Sequence, residues 1–231
     1  MNYAIIAAGE GSRLVQEGIK LPKPLVELKG VSLIDRLADI FCRNNAESIS
    51  IIINEEMTRV RSHLEKKVFP IPFNLVVKST PSSMHSFYEL STFLKSGKFC
   101  LTTVDTIFKE NEFARFIQYF EQDTESDGIM AVTGFVDDEK PLYVSVEPES
   151  MRIKGFYDTK QVDAGYVSGG IYCLTPKAVP VLNKCIQNGV SRMRNYQRQL
   201  IDEGLLLKAY PFSKIIDVDH AEDIKKAEEF I

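Results

Sequence analysis

Residues 2–14 read NYAIIAAGEGSRL, from Asn2 through Ala7, Ala8, Gly9, Glu10, Gly11, Ser12 and Arg13 to Leu14. The apolar run Asn2 to Ala7 has the length and character of a buried strand. Two glycines follow it directly. Glycine permits a tight turn and lets backbone N–H groups approach a phosphate closely. The stretch lacks the basic start and long apolar core of a signal peptide. It reads as a first strand running into a glycine loop.

Two common phosphate motifs do not fit. A dinucleotide fingerprint needs a third Gly or Ala where Leu14 stands, and a P-loop needs G-K-S/T next. Instead Arg13 follows, and then Gly18 to Pro24, which closes on Pro22-Lys23-Pro24. The result is G-x-G-x-R followed by P-K, combining backbone amides with two cations. That set suits a triphosphate, because arginine grips phosphate oxygens in pairs and lysine acts as a point charge.

Downstream, short apolar strands alternate with amphipathic helices. From Ser32 to about Asn44, apolar residues recur at helical spacing, with Ser32 as N-cap and Asp35 in the first turn. Ser48–Asn54, Phe73–Lys78 and Phe99–Asp105 read as strands. Helices are expected at Met57–Lys67, Ser83–Leu94 and Glu110–Phe120. After about residue 127 the rhythm changes. Gly128–Thr133, Tyr143–Val146, Arg152–Tyr157 and Tyr166–Cys173 are strand-like without long helices between them. Helices return at Lys177–Gln187 and Arg194–Glu203, then strands at Leu206–Tyr210 and Lys214–Val218, and a last helix from Ala221. Repeated βα units with a β-rich insertion predict an α/β fold, its sheet covered on both faces. Ligands in such sheets sit beyond the carboxyl ends of the parallel strands, which singles out the loop after Ala7 and Asp105.

Composition sets the frame. The chain has 231 residues, with 28 Lys+Arg against 32 Asp+Glu, a net charge of −4. Hydrophobic residues make up 44% and charged residues 26%, which excludes wholesale disorder and leaves ample core. This length suits one domain with room for a small lobe. Mild acidity argues against a nucleic-acid partner, and no apolar run approaches the ~20 residues that span a membrane. Cys42, Cys100, Cys173 and Cys185 are scattered among apolar neighbours, as expected of reduced, buried thiols in a cytoplasmic protein. His63, His85 and His220 show no zinc-ligand spacing.

AAGEGSR…PKPL resembles the signature of the nucleotidyltransferases that join an NTP to a phosphorylated sugar or alcohol. These are the sugar-1-phosphate nucleotidyltransferases and their cytidylyltransferase relatives, and the resemblance runs the length of the chain. TTVDTIF places Asp105 where the family carries its central metal-binding aspartate. VSGGIYCLTP (Val167 to Pro176) is similar to the family's N-A-G-I-Y…P segment, which lines the acceptor pocket. IIDVDHAEDIKKAEEF is similar to its closing segment, where a second acidic metal ligand lies, with Asp217, Asp219 or both as candidates. The small size, the acidic pair and SSMHSFYEL particularly resemble the phosphocholine cytidylyltransferases of bacterial surface-polymer decoration.

The resemblance implies a Rossmann-like three-layer α/β/α sandwich of the nucleotide-diphospho-sugar transferase type. Its sheet is mixed and mainly parallel, with a small β-rich acceptor-binding lobe. A single domain, residues 1–231, would bind NTP through about 1–127 and the acceptor through about 128–231. It implies transfer of an NMP onto a phosphorylated acceptor in the cytoplasm, with Mg²⁺ as cofactor, by a monomer or homodimer. Arg13, Lys23 and Asp105 would be catalytic. Ala7, Ala8, Gly9, Glu10, Gly11, Ser12, Ser82 and Ser83 would join them around the nucleotide. Lys160, Ser168, Gly169 and Gly170 would face the acceptor. Two positions depart from the family pattern: Lys160 is one residue out of register with its phosphate-binding lysine, and Ser168 stands where many sugar-specific members have Asn. A non-catalytic nucleotide-binding subunit of the same fold is the alternative in another class, and an NAD-dependent oxidoreductase a more distant one.

Overall fold

The computed structural model describes residues 1–137 and 139–231. Strand β1 (Asn2–Ile6) leads through the glycine loop into a one-turn helix, α1 (Ser12–Gln16). A small hairpin follows, β2 (Glu27–Leu28) and β3 (Val31–Ser32). Three αβ units come next. They are α2 (Leu33–Arg43) into β4 (Ser48–Ile53), α3 (Thr58–Lys66) into β5 (Phe73–Val77), and α4 (Ser83–Leu90) into β6 (Phe99–Thr103). The short β7 (Thr106–Ile107) precedes α5 (Glu110–Gln122). Then come β8 (Gly128–Thr133), β9 (Tyr143–Val146), β10 (Ile153–Tyr157) and β11 (Tyr166–Leu174). Helices α6 (Ala178–Gln187) and α7 (Met193–Asp202), strands β12 (Leu207–Phe212) and β13 (Ile216–Asp217), and α8 (Ala221–Phe230) complete the chain.

The main sheet is mixed, with a parallel core. Its order is β5-β4-β1-β6-β11-β8-β12. β5, β4, β1 and β6 are parallel neighbours, β11 runs antiparallel to both β6 and β8, and β12 is parallel to β8. Side chains alternate across a strand, so each strand feeds two cores. Along β1, Tyr3 and Ile5 enter one and Ala4 and Ile6 the other; along β8, Ile129 and Ala131 part from Met130 and Val132 in the same way. The first core is closed by α2, α3, α5 and α8, through residues such as Phe41, Val60, Phe116 and Ala227. The second is closed by α4, α6 and α7, through Phe87, Leu182 and Leu200. This is the three-layer sandwich. Among the described residues no helix is long and apolar enough to cross a membrane.

Local chemistry explains most boundaries. Ser32 caps α2, its Oγ accepting from the Asp35 backbone N–H at 3.2 Å. Helix α4 stops at Leu90, four residues before the expected Leu94, and a 3-10 turn (Ser91–Phe93) follows. There the Ser91 hydroxyl bonds the Tyr88 carbonyl at 2.7 Å, competing with the helical ladder. The expected strand Lys214–Val218 shrinks to Ile216–Asp217, because its partner β7 is itself two residues long. Asp219 lies two residues beyond the strand, its N–H turned back to the Asp217 carbonyl at 3.1 Å. The β-rich stretch is built onto the common sheet. Nine-residue β11 pairs with β6 through Ile171–Leu174 and with β9 only through Tyr166 and Val167, so just the β9–β10 hairpin branches off the common sheet. The four cysteines are free, and all but Cys42 are buried.

One buried carboxylate ties the two halves of the chain. Asp123, at the end of α5, accepts from the Ser126 N–H at 2.7 Å and the Glu125 N–H at 3.0 Å, and from Lys208 Nζ of β12 at 2.8 Å. Burial alone would raise its pKa, but these donors lower it to about 2. A depressed folded-state pKa stabilises above the unfolded value of about 3.9, and that contribution fades as pH falls toward 2. Asp123→Asn is expected to lower unfolding free energy by about 1–3 kcal/mol at pH 7. In urea titrations the gap from wild type should narrow as pH falls through 4 to about 2. A gap independent of pH would contradict this role.

Candidate active site

The carboxyl ends of β1, β4 and β6 open on one side of the sheet, where the glycine loop turns over them. Gly11 adopts a left-handed conformation (φ 62°) as N-cap of α1, and a Cβ there would lie 3.0 Å from the Lys23 Cβ. Both facts call for glycine. Gly11→Ala should therefore strain the loop and press on Lys23, lowering unfolding free energy by about 1–2 kcal/mol in urea titrations. Asn54, at the end of β4, donates from Nδ2 to the Ala8 carbonyl at 3.1 Å and holds the loop down.

Lys23 is the centre of the arrangement. It sits between Pro22 and Pro24 in a 3-10 turn and is only 8% exposed. Its ammonium bonds Asp105 Oδ2 and, at 2.6 Å, Asp219 Oδ1. Burial would depress the pKa of this ammonium, but the two carboxylates outweigh it and hold the value well above that of an ordinary lysine. Asp105 lies in the turn between β6 and β7. Its carbonyl accepts from the Val218 N–H at 3.1 Å, which carries the C-terminal segment to the same place. Arg13 of α1 completes the set, with Nη1 3.1 Å from Asp219 Oδ2 and Nη2 3.5 Å from Glu139 Oε2.

A clamp fixes the C-terminal segment. The Glu17 carboxylate, at the end of α1, accepts from the Ala221 N–H at 2.6 Å and lies 2.6 Å from His220 Nδ1. Asp223 accepts from the N–H groups of Asp219 (3.1 Å) and His220 (2.8 Å), forming a capping box at the start of α8. Asp219 is thus held beside Arg13 by backbone contacts rather than by strand pairing.

Two cavities share a wall. The first, about 700 Å³, is lined by residues 8–13, Lys23, Asn54, Ser82, Ser83, Ser86, Asp105 and Asp219. The second, about 500 Å³, is lined by Arg13, Glu17, Phe135, Glu139, Ser168, Gly169, Ile215, Asp217, Asp219, His220 and Lys226, among others. Arg13 and Asp219 line both. β11 shapes the second cavity through a register shift against β8 between Ser168 and Tyr172. Gly170 takes φ 72° in that irregular stretch. Ser168 Oγ there reaches Gln197 Oε1 at 3.2 Å.

Most of the expected residues meet here. Ala7 does not line the first cavity: it is buried, with its N–H on the Ile52 carbonyl. Gly170 lies beneath the second, where a Cβ would come 3.2 Å from Thr106 Oγ1. Lys160 is exposed in the β10–β11 loop and lines neither cavity. Asp105 and Asp219 converge on Lys23, whereas Asp217 lines only the second cavity. Asn54, absent from the expected set, also lines the first cavity and stands at the end of a parallel strand, as Asp105 does. Glu139, Ile215, His220 and Lys226 also line the second cavity; the last three lie in the closing segment quoted above, but nothing beside them marks them as cavity residues.

A glycine loop, two cations and two carboxylates thus stand together at the strand ends of a mixed sheet. The chain belongs to the nucleotidyl transferase family, whose model matches residues 3–231. It is 24% identical over 225 residues to the bifunctional protein GlmU of Thermodesulfovibrio yellowstonii, covering 93% of this chain and 48% of that one. The chain thus spans about half the length of that curated relative. Among solved structures, the inositol-1-phosphate CTP transferase from T. maritima superposes with a TM-score of 0.83 at 19% identity, covering 99% of this chain and 94% of that chain. A UDP-glucose pyrophosphorylase complexed with UDP-glucose gives 0.81 at 17%, covering 99% and 97%. At such identities the likeness establishes the fold.

Proposed function

We propose that the protein transfers a nucleoside monophosphate from an NTP to a phosphorylated acceptor, a sugar 1-phosphate, releasing pyrophosphate. The observation that carries this reading is the pair of cavities meeting at Arg13 and Asp219 beside Lys23 and Asp105. The family membership and the UDP-glucose chemistry named for one structural neighbour support it.

The acceptor phosphate oxygen would attack the α-phosphorus. The bond from that phosphorus to the α–β bridging oxygen breaks, and pyrophosphate leaves with the electron pair. A phosphomonoester has a second pKa of about 6, so the nucleophile is already ionised and needs no general base. What remains is to bring two polyanions into line and neutralise them. The glycine loop would orient the triphosphate, Lys23 would meet the charge growing on the α-phosphoryl group, and Arg13 would hold the leaving pyrophosphate.

Asp105 and Asp219 suit Mg²⁺. Their carboxylates already converge on one cation, the Lys23 ammonium, and Mg²⁺ usually takes one or two carboxylates together with substrate phosphates. When bound, Mg²⁺ supplies neutralisation and polarisation of phosphoryl oxygens.

A second reading concerns the acceptor. The second cavity carries Glu17, Asp137, Glu139, Asp217, Asp219, Glu222 and Asp223 against Arg13, His220 and Lys226. This acidic excess favours a phospho-alcohol bearing a cation, such as phosphocholine, with a cytidylyltransferase reaction. The product in either case is a building block for a cell-surface polymer made in the cytoplasm. The test is pyrophosphate release with Mg²⁺, five common NTPs and a panel of sugar 1-phosphates and phospho-alcohols. Release with one NTP–acceptor pair is expected. Nucleotide binding by thermal shift with no release from any pair would point instead to a non-catalytic subunit.

A further inference from the structure

The Lys23 ammonium stands where the two carboxylates point. It takes Asp105 Oδ2 and Asp219 Oδ1, and Arg13 takes Asp219 Oδ2 and Glu139 Oε2. The two cations that face the nucleotide cavity are thus paired with carboxylates before any ligand arrives. A divalent cation coming to Asp105 and Asp219 has to use oxygens that Lys23 already occupies. Lys23 is buried, so expelling its ammonium without a new partner would strand a charge away from water. A nucleotide removes that obstacle, because its phosphates offer Lys23 and Arg13 the anionic partners they give up.

We infer that Lys23 is a resident counter-cation that keeps the Asp105–Asp219 pair closed to free divalent metal and opens it only as phosphates arrive. Metal and nucleotide then bind with positive coupling, each favouring the other through a single exchange of ion-pair partners. The inference rests on the proposed nucleotide transfer for the identity of the second ligand. Its core, competition between Lys23 and a divalent cation for two carboxylates, does not depend on turnover.

The test is Mn²⁺ binding followed by electron paramagnetic resonance on the full chain, without nucleotide. Lys23→Met keeps the length of the side chain and removes its charge. The variant is expected to bind free Mn²⁺ about tenfold tighter than wild type, or more. Its melting temperature should also rise more on adding Mn²⁺, because the unscreened carboxylates then gain a partner. Lys23→Gln should give the same titration and serves if Lys23→Met does not fold. Free Mn²⁺ affinity within twofold of wild type in the folded variant would overturn the inference. So would a wild-type protein that binds free Mn²⁺ as tightly as it does with an NTP present. A protein without transferase activity could still show the tighter Mn²⁺ binding, so failure of the proposed function and failure of this inference are distinguishable.

Discussion

Asp105→Ala is expected to lower kcat by about 10³-fold or more while the protein stays folded. Asp105 is one of the two carboxylates that converge at the joint of the cavities, and its backbone anchors the C-terminal segment through Val218. Alanine keeps the backbone bond and removes only the carboxylate. Lys23 retains Asp219 as a partner at 2.6 Å, so its charge is not left unpaired. The stability change should therefore stay below the 3–5 kcal/mol or so typical of an orphaned buried charge. Circular dichroism melts check the fold, and steady-state pyrophosphate release checks the rate. Turnover near wild type in a folded Asp105→Ala protein would contradict the assignment.

Arg13→Ala should have the next largest effect, a loss of about 10²-fold in kcat/KM. Arg13 lines both cavities and is 46% exposed. Its ion pairs to Asp219 and Glu139 are surface contacts, so stability should change by no more than about 0.5 kcal/mol. The loss should fall on kcat as well as KM, because the leaving pyrophosphate gains charge only as the bond breaks. Arg13→Lys should recover part of it, since lysine restores the charge but not the paired geometry. An Arg13→Ala effect confined to KM would make Arg13 a ground-state contact alone.

Strands and helices were legible where neighbours in sequence decide them. The β1 run, the glycine loop and the Ser32 cap carry their geometry in a few adjacent residues, as does the end of β6 before Asp105. Asn54 carries the same strand-end signal, but no charge or motif singles it out. The second cavity was less legible, because pairing among distant segments builds it. The register shift in β11 sets Ser168 and Gly169 at its wall, and neither residue announces a bulge. Asp219 owes its position to Glu17 and Asp223 contacts around α8 rather than to strand pairing. Lys160, placed by analogy one residue out of register, lies on an exposed loop away from both cavities. Among the ion pairs, that of Lys23 with two carboxylates from distant segments could be read only from the fold.

The proposed transfer is direct, between two substrates that meet at the shared wall. A ³¹P NMR time course with Mg²⁺, the preferred NTP and its acceptor labelled with ¹⁸O in the phosphate tests it most directly. Pyrophosphate and a diphosphate-linked product are expected in equal amounts, with all of the label in the product and neither formed when the acceptor is left out. Pyrophosphate released without acceptor, or label found in pyrophosphate, would contradict it.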